Sequence, residues 1–130
     1  MTRLIFIRHG QSEANAQNRF AGQTNVPLTE LGKAQAKCAA EYIVKREKID
    51  KIYSSDLQRA HNTALPVSEL TGIPINDATE LREICAGIWE GRLANEIEVE
   101  YEKGRGIITI PEGTTALHCG KLLKAGKHDF

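Results

Sequence analysis

The amino-acid sequence predicts a three-layer α/β/α fold, in which helices cover a mostly parallel sheet that is shortened at the C-terminus. Over residues 1–76, stretches with strand character alternate with stretches of helical periodicity. This alternation implies right-handed β-α-β units. Residues 4–7 form a near-continuous apolar run, which is typical of a strand covered on both faces. The length of 130 residues fits one domain, 1–130.

Two amphipathic helices are predicted. The first begins at Thr29, whose side chain can cap free N–H groups, and ends in the basic cluster of residues 45–48. Apolar residues recur along it at helical spacing: Leu31, Ala34, Cys38, Ala39, Tyr42 and Ile43. The second begins after the N-cap Asp56 and ends at Gly72, and Pro66 should kink it. Its buried stripe is expected to contain Leu57, Ala60, Ala64, Val67 and Leu70.

Two further short strands are expected at residues 51–54 and 73–75. Pro74 lies inside the second of them and cannot donate a ladder hydrogen bond. We therefore expect residues 73–75 to form an edge strand or to contain the start of a strand.

Composition narrows the class of protein. Seventeen basic and seventeen acidic side chains cancel, so no global field favours nucleic acid or an anionic membrane. Three cysteines without paired spacing indicate free thiols in a reducing compartment, and thus a cytoplasmic location. The apolar run near the N-terminus is too short for a signal peptide or a membrane span. Any preference for anions must come from local placement of cations.

Arg8, His9 and Gly10 follow the first predicted strand directly. In an open α/β sheet, ligands bind at the carboxyl ends of strands. A neutral imidazole can attack phosphorus, and a guanidinium matches phosphoryl oxygens with its forked donors. Gly10 lacks the Cβ atom that would keep a ligand or a second loop away. Taken alone, this tripeptide also fits an ordinary surface or core histidine.

A second cluster, residues 54–60, repeats this pattern because a strand ends and a helix begins. Arg59 lies in the first helical turn, where the helix dipole opposes a cation by about 0.3–1 kcal/mol. A bound phosphate would reverse that effect. Pairing with Asp56 or a nearby glutamate on the surface is an equally good interpretation from the sequence alone.

A third cluster, residues 81–91, is too rich in glycine for a helix interior. Glu83 and Glu90 both qualify by type as a general acid that gives a proton to a leaving alkoxide. The alternative is a solvent-exposed turn in which Trp89 fills the core, and this alternative is favoured for Glu90.

Together, these clusters resemble the histidine phosphatase superfamily, on the branch that holds cofactor-dependent phosphoglycerate mutases and their phosphatase relatives. The resemblance covers residues 1–92, and the order and spacing of its motifs are highly specific. The matching segments are residues 8–15 (RHGQSEAN), 18–22 (NRFAG), 27–32 (PLTELG), 54–60 (SSDLQRA) with Thr63 and Ala64, and Glu83 with residues 87–91 (GIWEG).

The resemblance implies a phosphoryl transfer in two steps. His9 would become a phosphohistidine, Glu83 would donate and accept the proton, and Arg8 and Arg59 would bind the equatorial oxygens. Asn15 and the backbone of Ala21 and Gly22 would complete the substrate side. The expected substrate is a small phosphorylated metabolite, with hydrolysis favoured over mutase-type transfer. No metal or other cofactor is expected.

The sequence departs from the family pattern after Gly91, so residues 93–130 are expected to be an atypical, truncated or altered part of the domain. Members normally carry a second histidine after a buried strand, and His118 is the nearest candidate for it here. A catalytically weak phosphate-binding remnant or regulatory module therefore stays open as an alternative. Residues 107–110 should either add a strand to the sheet or pair across a homodimer interface, and residues beyond Gly120 should be mobile or lie on the surface.

Overall fold

The computed structural model describes residues 1–83 and 85–96. Within them, the secondary structure begins with the short helix α1 (Glu13–Ala16) and the long helix α2 (Glu30–Arg46). These are followed by strand β1 (Ile52–Ser54), helix α3 (Gln58–Thr71) and strand β2 (Ile75–Asp77). Two short 3₁₀ turns follow, at Thr79–Leu81 and Gly87–Trp89.

Strands β1 and β2 pair in parallel, with Ile52 opposite Ile75 and Ser54 opposite Asp77. Helix α3 connects them, which gives the expected β-α-β unit. The α/β class and the parallel pairing are thereby confirmed. Strand β2 lies two residues later than predicted, since it begins after Pro74 and thus avoids placing the missing N–H in the ladder.

Most helix ends follow local sequence signals. The Thr29 side chain accepts a hydrogen bond from the Gly32 N–H and caps α2, as predicted. Gly72 ends α3 with a left-handed φ of 73°, also as predicted. The predicted cap at Asp56 is wrong: Leu57 occupies the N-cap position without a side-chain hydrogen bond. The carboxylate of Asp56 accepts instead from the guanidinium of Arg82.

The core is small and lies between the two long helices and the sheet. Ala40, Ile52 and Val67 are its buried centre. Partly buried side chains that pack around them are Val44, Ile49, Ala64, Ile73 and Ile75. A second cluster joins Ala86 and Trp89 to Phe20, with the two aromatic rings 5.8 Å apart. Trp89 therefore fills a core, as one of the sequence alternatives proposed.

The face that α2 buries differs from its most apolar face. Gly32, Ala36 and Ala40 are buried, whereas Leu31 and Tyr42 are 55% and 59% exposed. The cause is close approach, since a Cβ atom added to Gly32 would lie well inside van der Waals contact with the Gln11 carbonyl oxygen. In α3, Val67 is buried as expected, but Leu70 is exposed.

The expectation of a strand at residues 4–7 is wrong for the described part of the chain. These residues lie outside β1 and β2, and Leu4 and Phe6 are 72% and 89% exposed. A strand exists only where a neighbour supplies ladder hydrogen bonds, and none of the described segments provides this run with such a ladder. Residues 107–110, His118 and the residues beyond Gly120 lie outside the described residues. No described helix is long and apolar enough to cross a bilayer.

We predict that Gly32→Ala destabilises the protein. Helix propensity alone would favour alanine in α2 by about 0.8–1.0 kcal/mol. The clash with the Gln11 carbonyl should outweigh this gain, with a net loss of about 1–3 kcal/mol. Urea unfolding measures the change, and Lys37→Ala, at an exposed position of the same helix, is the control. A stabilised Gly32→Ala variant would contradict the close packing of residues 10–11 against α2.

Candidate functional site

His9 lies half-buried, and its ring is hydrogen-bonded to the backbone of the next residue. Its Nδ1 is 2.7 Å from the Gly10 carbonyl oxygen. A carbonyl can only accept a hydrogen bond, so Nδ1 carries the proton in this arrangement. In the neutral ring, the lone pair is then on Nε2, the nitrogen that would serve as a nucleophile.

Thr63 on α3 anchors the segment that carries His9. The Gly10 N–H donates to Thr63 Oγ1 at 3.0 Å, and the Thr63 hydroxyl donates to the Arg59 carbonyl at 2.6 Å. Thr63 is buried, so these bonds are shielded from water. Gly10 also packs directly against the backbone of Gly32, which explains why this position has no side chain. Of the two possibilities raised by the sequence, a ligand or a second loop, the structure shows a second segment of the protein, the start of α2, close to Gly10.

Arg59 is almost completely buried, with 3% of its surface exposed. Its guanidinium donates from Nη1 to the Thr24 carbonyl at 2.7 Å and from Nη2 to the Gly22 carbonyl at 2.5 Å. The alternative of a surface ion pair with Asp56 is therefore wrong, because Asp56 pairs with Arg82. That pair lowers the pKa of Asp56 through the hydrogen bonds from Arg82.

The charged residues selected from the sequence act on one another electrostatically. Burial lowers the pKa of His9, and the charges of Arg59 and Arg8 lower it further. The hydrogen bond to the Gly10 carbonyl and the charge of Glu83 act in the opposite direction. Burial also lowers the pKa of Arg59, against the charges of Glu83 and Glu90. The charges of Arg8, Arg59 and Glu83 therefore all act on His9.

A cavity of about 230 Å³ adjoins this group on the side of α2. It is lined by Arg8, His9, Gly10, Gln35, Ala36, Ala39 and Thr63. Two of its wall residues, Ala36 and Ala39, are small, and they leave space beside Arg8 and His9.

The predicted substrate-side residues have structural partners in the protein. The Asn15 side-chain oxygen accepts from the Ser12 N–H, and the Asn15 N–H donates to the Ser12 hydroxyl oxygen, which together form a capping box at α1. The Ala21 carbonyl accepts from the Thr24 N–H and so closes a tight turn. The Gly22 carbonyl accepts from Arg59. Contact of these groups with a substrate stays a prediction.

Glu83 and Glu90 differ in their surroundings. The Glu90 carboxylate accepts three hydrogen bonds, from Gln23 N at 2.9 Å, Thr24 Oγ1 at 3.0 Å and Ala86 N at 3.1 Å. The backbone carbonyl of Glu83 accepts from Gln23 Nε2 at 3.2 Å. The charge of the Glu83 side chain acts on both His9 and Arg59. Glu83 therefore remains the acid candidate, and Glu90 is a structural partner of the loop at residues 22–24.

The sequence placed Thr63 in a family motif without a chemical role, and in the loop at residues 22–25 it assigned a role only to Gly22. Thr63 follows Arg59 by four residues, so the two share one face of α3. A hydroxyl residue four positions after Arg59 is a signal that can be found in the sequence. Asn25 had no comparable signal, although its side-chain oxygen accepts from the Gln58 N–H at 2.8 Å at the start of α3. The described residues contain no group of three or more metal-ligating side chains, and His118 lies outside them.

Comparison with known proteins gives a consistent result. A family model for the histidine phosphatase superfamily (branch 1) matches residues 4–117. The glucosyl-3-phosphoglycerate phosphatase of Mycobacterium tuberculosis is 39% identical over 119 residues, which are 92% of this chain and 52% of that protein. Phosphoserine phosphatase 1 of Hydrogenobacter thermophilus is 39% identical over 101 residues, 78% of this chain and 47% of that protein.

A solved structure agrees in fold. Mycobacterial glucosyl-3-phosphoglycerate phosphatase, in complex with VO3, aligns with a TM-score of 0.73 and 32% sequence identity. The alignment covers 91% of this chain and 66% of that chain. The chain spans about half the length of the curated relatives it matches.

We predict that His9 titrates below the ordinary histidine value of about 6.5, because burial and two cations disfavour its protonated form. In the unfolded chain the pKa is ordinary, so the unfolded state binds more protons between the two values. Stability should therefore fall as the pH drops through the unfolded pKa towards the folded one. Proton NMR in buffer and in urea, with His9→Asn to assign the signal, measures both values. A folded pKa at or above the unfolded value would contradict the electrostatics described.

Proposed function

Because the chain belongs to the histidine phosphatase superfamily, as its motifs indicated, we propose that it acts as a phosphatase on small phosphorylated metabolites. The phosphoryl group would pass through a phosphohistidine at His9. Both curated relatives described above carry phosphatase names, which favours water as the final acceptor over a second hydroxyl. The balance of seventeen basic and seventeen acidic residues favours a small substrate over nucleic acid.

The first step is attack of His9 Nε2 on the phosphorus. The N–P bond forms as the bond from phosphorus to the ester oxygen breaks, and Glu83, in its acid form, gives that oxygen a proton. In the second step, Glu83 accepts a proton from water while the water oxygen attacks phosphorus. The N–P bond then breaks, and inorganic phosphate and the neutral imidazole are released.

The cations would act on the charge that develops in the transition state of each step. Arg8 and Arg59 would stabilise the equatorial oxygens of the phosphoryl group, and their help would be electrostatic rather than covalent. Asn15 and the backbone of Ala21 and Gly22 would contact the remainder of the substrate.

The observation that carries this proposal is the state of His9. Its Nδ1 proton is directed to the Gly10 carbonyl, and burial, together with the charges of Arg59 and Arg8, lowers its pKa and so favours the neutral ring. A neutral imidazole with Nε2 unprotonated is the form required of a nucleophile. The same cations would attract the phosphate dianion to that nitrogen.

We expect His9→Ala to abolish hydrolysis of an aryl phosphate and the acid-labile phosphoprotein signal, because the other described groups around this site do not supply an equivalent nucleophile. His61→Ala is the matched control, since His61 pairs with Asp77 on the surface of the protein. Rapid quench followed by gel detection of the phosphoprotein measures the intermediate. Retention of the signal in His9→Ala would overturn the proposed mechanism.

We expect Glu83→Gln to slow hydrolysis of alkyl phosphates far more than that of an aryl phosphate with a good leaving group, because only a poor leaving group requires protonation. General acid catalysis typically contributes about 10²–10⁴-fold, which sets the scale for the alkyl substrates. Glu80→Gln, at an exposed position nearby in the chain, is the control. Equal slowing of both substrate types would exclude Glu83 as the acid.

A further inference from the structure

One peptide unit connects Glu90 to Arg59. The N–H of Gln23 donates to Glu90 Oε1 at 2.9 Å, and the Gly22 carbonyl, in the same peptide unit, accepts from Arg59 Nη2. In a trans peptide these two groups point in opposite directions. The peptide therefore lies between a carboxylate and a guanidinium, and each hydrogen bond polarises it in the sense that strengthens the other.

Thr24 makes a second connection of the same kind. Its hydroxyl donates to Glu90 Oε2 at 3.0 Å, and its carbonyl accepts from Arg59 Nη1 at 2.7 Å. The two hydrogen bonds from the Arg59 guanidinium to Gly22 and Thr24 thus end on backbone carbonyls of the loop that Glu90 also holds. Neither carbonyl could keep its direction if the turn at residues 21–24 rotated.

Glu90 is itself fixed in place. Its carboxylate accepts from the Ala86 N–H, beside the buried pair Ala86 and Trp89. The Phe20 carbonyl accepts from the Gly91 N–H at 2.7 Å, which joins the two loops at the residue after Glu90. A Cβ atom on Gly22 would collide with Glu90 Oε1, so the carboxylate lies directly against the loop backbone.

We propose that Glu90 is a positioning residue that sets the direction of the Arg59 guanidinium through the backbone of residues 22–24. This inference rests on the proposed function, in which Arg59 binds the phosphoryl oxygens. Glu90 would act by geometry, since its oxygens already accept three hydrogen bonds from the protein. It does not need to touch the substrate.

Two substitutions separate geometry from charge. In Glu90→Gln, the amide oxygen can still accept from Gln23 and Ala86, and the amide nitrogen can donate to the Thr24 hydroxyl, which is able to rotate. The connection to the loop is kept and the charge is lost. In Glu90→Asp, the charge is kept, but the side chain is one methylene shorter and cannot reach all three donors.

The measured quantities are the Kd for vanadate and the kcat and KM for an aryl phosphate. We expect Glu90→Asp to weaken vanadate binding about tenfold, since a misplacement of about 1 Å can cost up to about 10²-fold. Glu90→Gln should stay near the wild-type value. Glu41→Asp, at an exposed position of α2, is the matched control, and thermal melting checks that each variant is folded.

A double-mutant cycle with Arg59→Ala tests whether Glu90 affects vanadate binding through Arg59. If Glu90 acts through Arg59, then Glu90→Asp should cause no further loss of vanadate affinity once Arg59 is removed. A merely structural role would lower the melting temperature and weaken binding equally in both backgrounds. That result would overturn the inference.

The remaining outcomes are also decisive. A normal Kd in Glu90→Asp together with a weak one in Glu90→Gln would mean that charge acts and position does not, which overturns the inference. If the wild-type chain binds no vanadate and forms no phosphohistidine, the proposed function itself fails. If the wild type binds vanadate and both Glu90 variants bind it equally well, only the role of Glu90 is rejected.

Discussion

The hydroxyl of Thr63 makes the contact on which the rest of the site depends. It accepts from the Gly10 N–H and donates to the Arg59 carbonyl, and both bonds are buried. An unsatisfied buried N–H would cost about 1–3 kcal/mol. Since Arg59 and Thr63 are four residues apart on α3, one turn of helix sets the spacing between the cation and the segment that carries His9. A rigid element fixes this spacing more tightly than loops would.

The buried cation gives the site its electrical character. Arg59 lies in the first turn of α3, where the helix dipole opposes it, and burial disfavours its charge further. The carbonyls of Gly22 and Thr24 stabilise the guanidinium by hydrogen bonds. The negative charges of Glu83 and Glu90 stabilise its positive charge. Burial lowers the pKa of His9, and the positive charges of Arg59 and Arg8 lower it further. One arrangement therefore favours both a neutral nucleophile and an incoming phosphate.

The sequence predicted those features of the fold that depend on local signals. The cap at Thr29, the end of α3 at Gly72 and the parallel β-α-β unit were all predicted from neighbouring residues. The predicted strand at residues 4–7 and the predicted apolar face of α2 were wrong for the described residues, because strand pairing and burial depend on distant neighbours. The chemical types of His9, Arg59 and Glu83 could be identified from the sequence as candidates for a site. The hydrogen bond from Gln23 to Glu90 could not be predicted, because it joins residues 67 positions apart and has no local signal.

The functional motifs are far apart in the chain but form one hydrogen-bonded layer. The turn after Phe20 meets the segment around Glu90, and the α3 side chains close the layer from the other side. Gly22 is required at the centre, since its φ is 53° and a side chain there would displace the carboxylate. The direction of the Arg59 guanidinium thus depends on the carbonyls of Gly22 and Thr24. The Glu90 carboxylate fixes the orientation of these carbonyls through its hydrogen bonds to the same loop. A site built in this way is sensitive to changes that rotate a peptide, even where the altered side chain never meets a substrate.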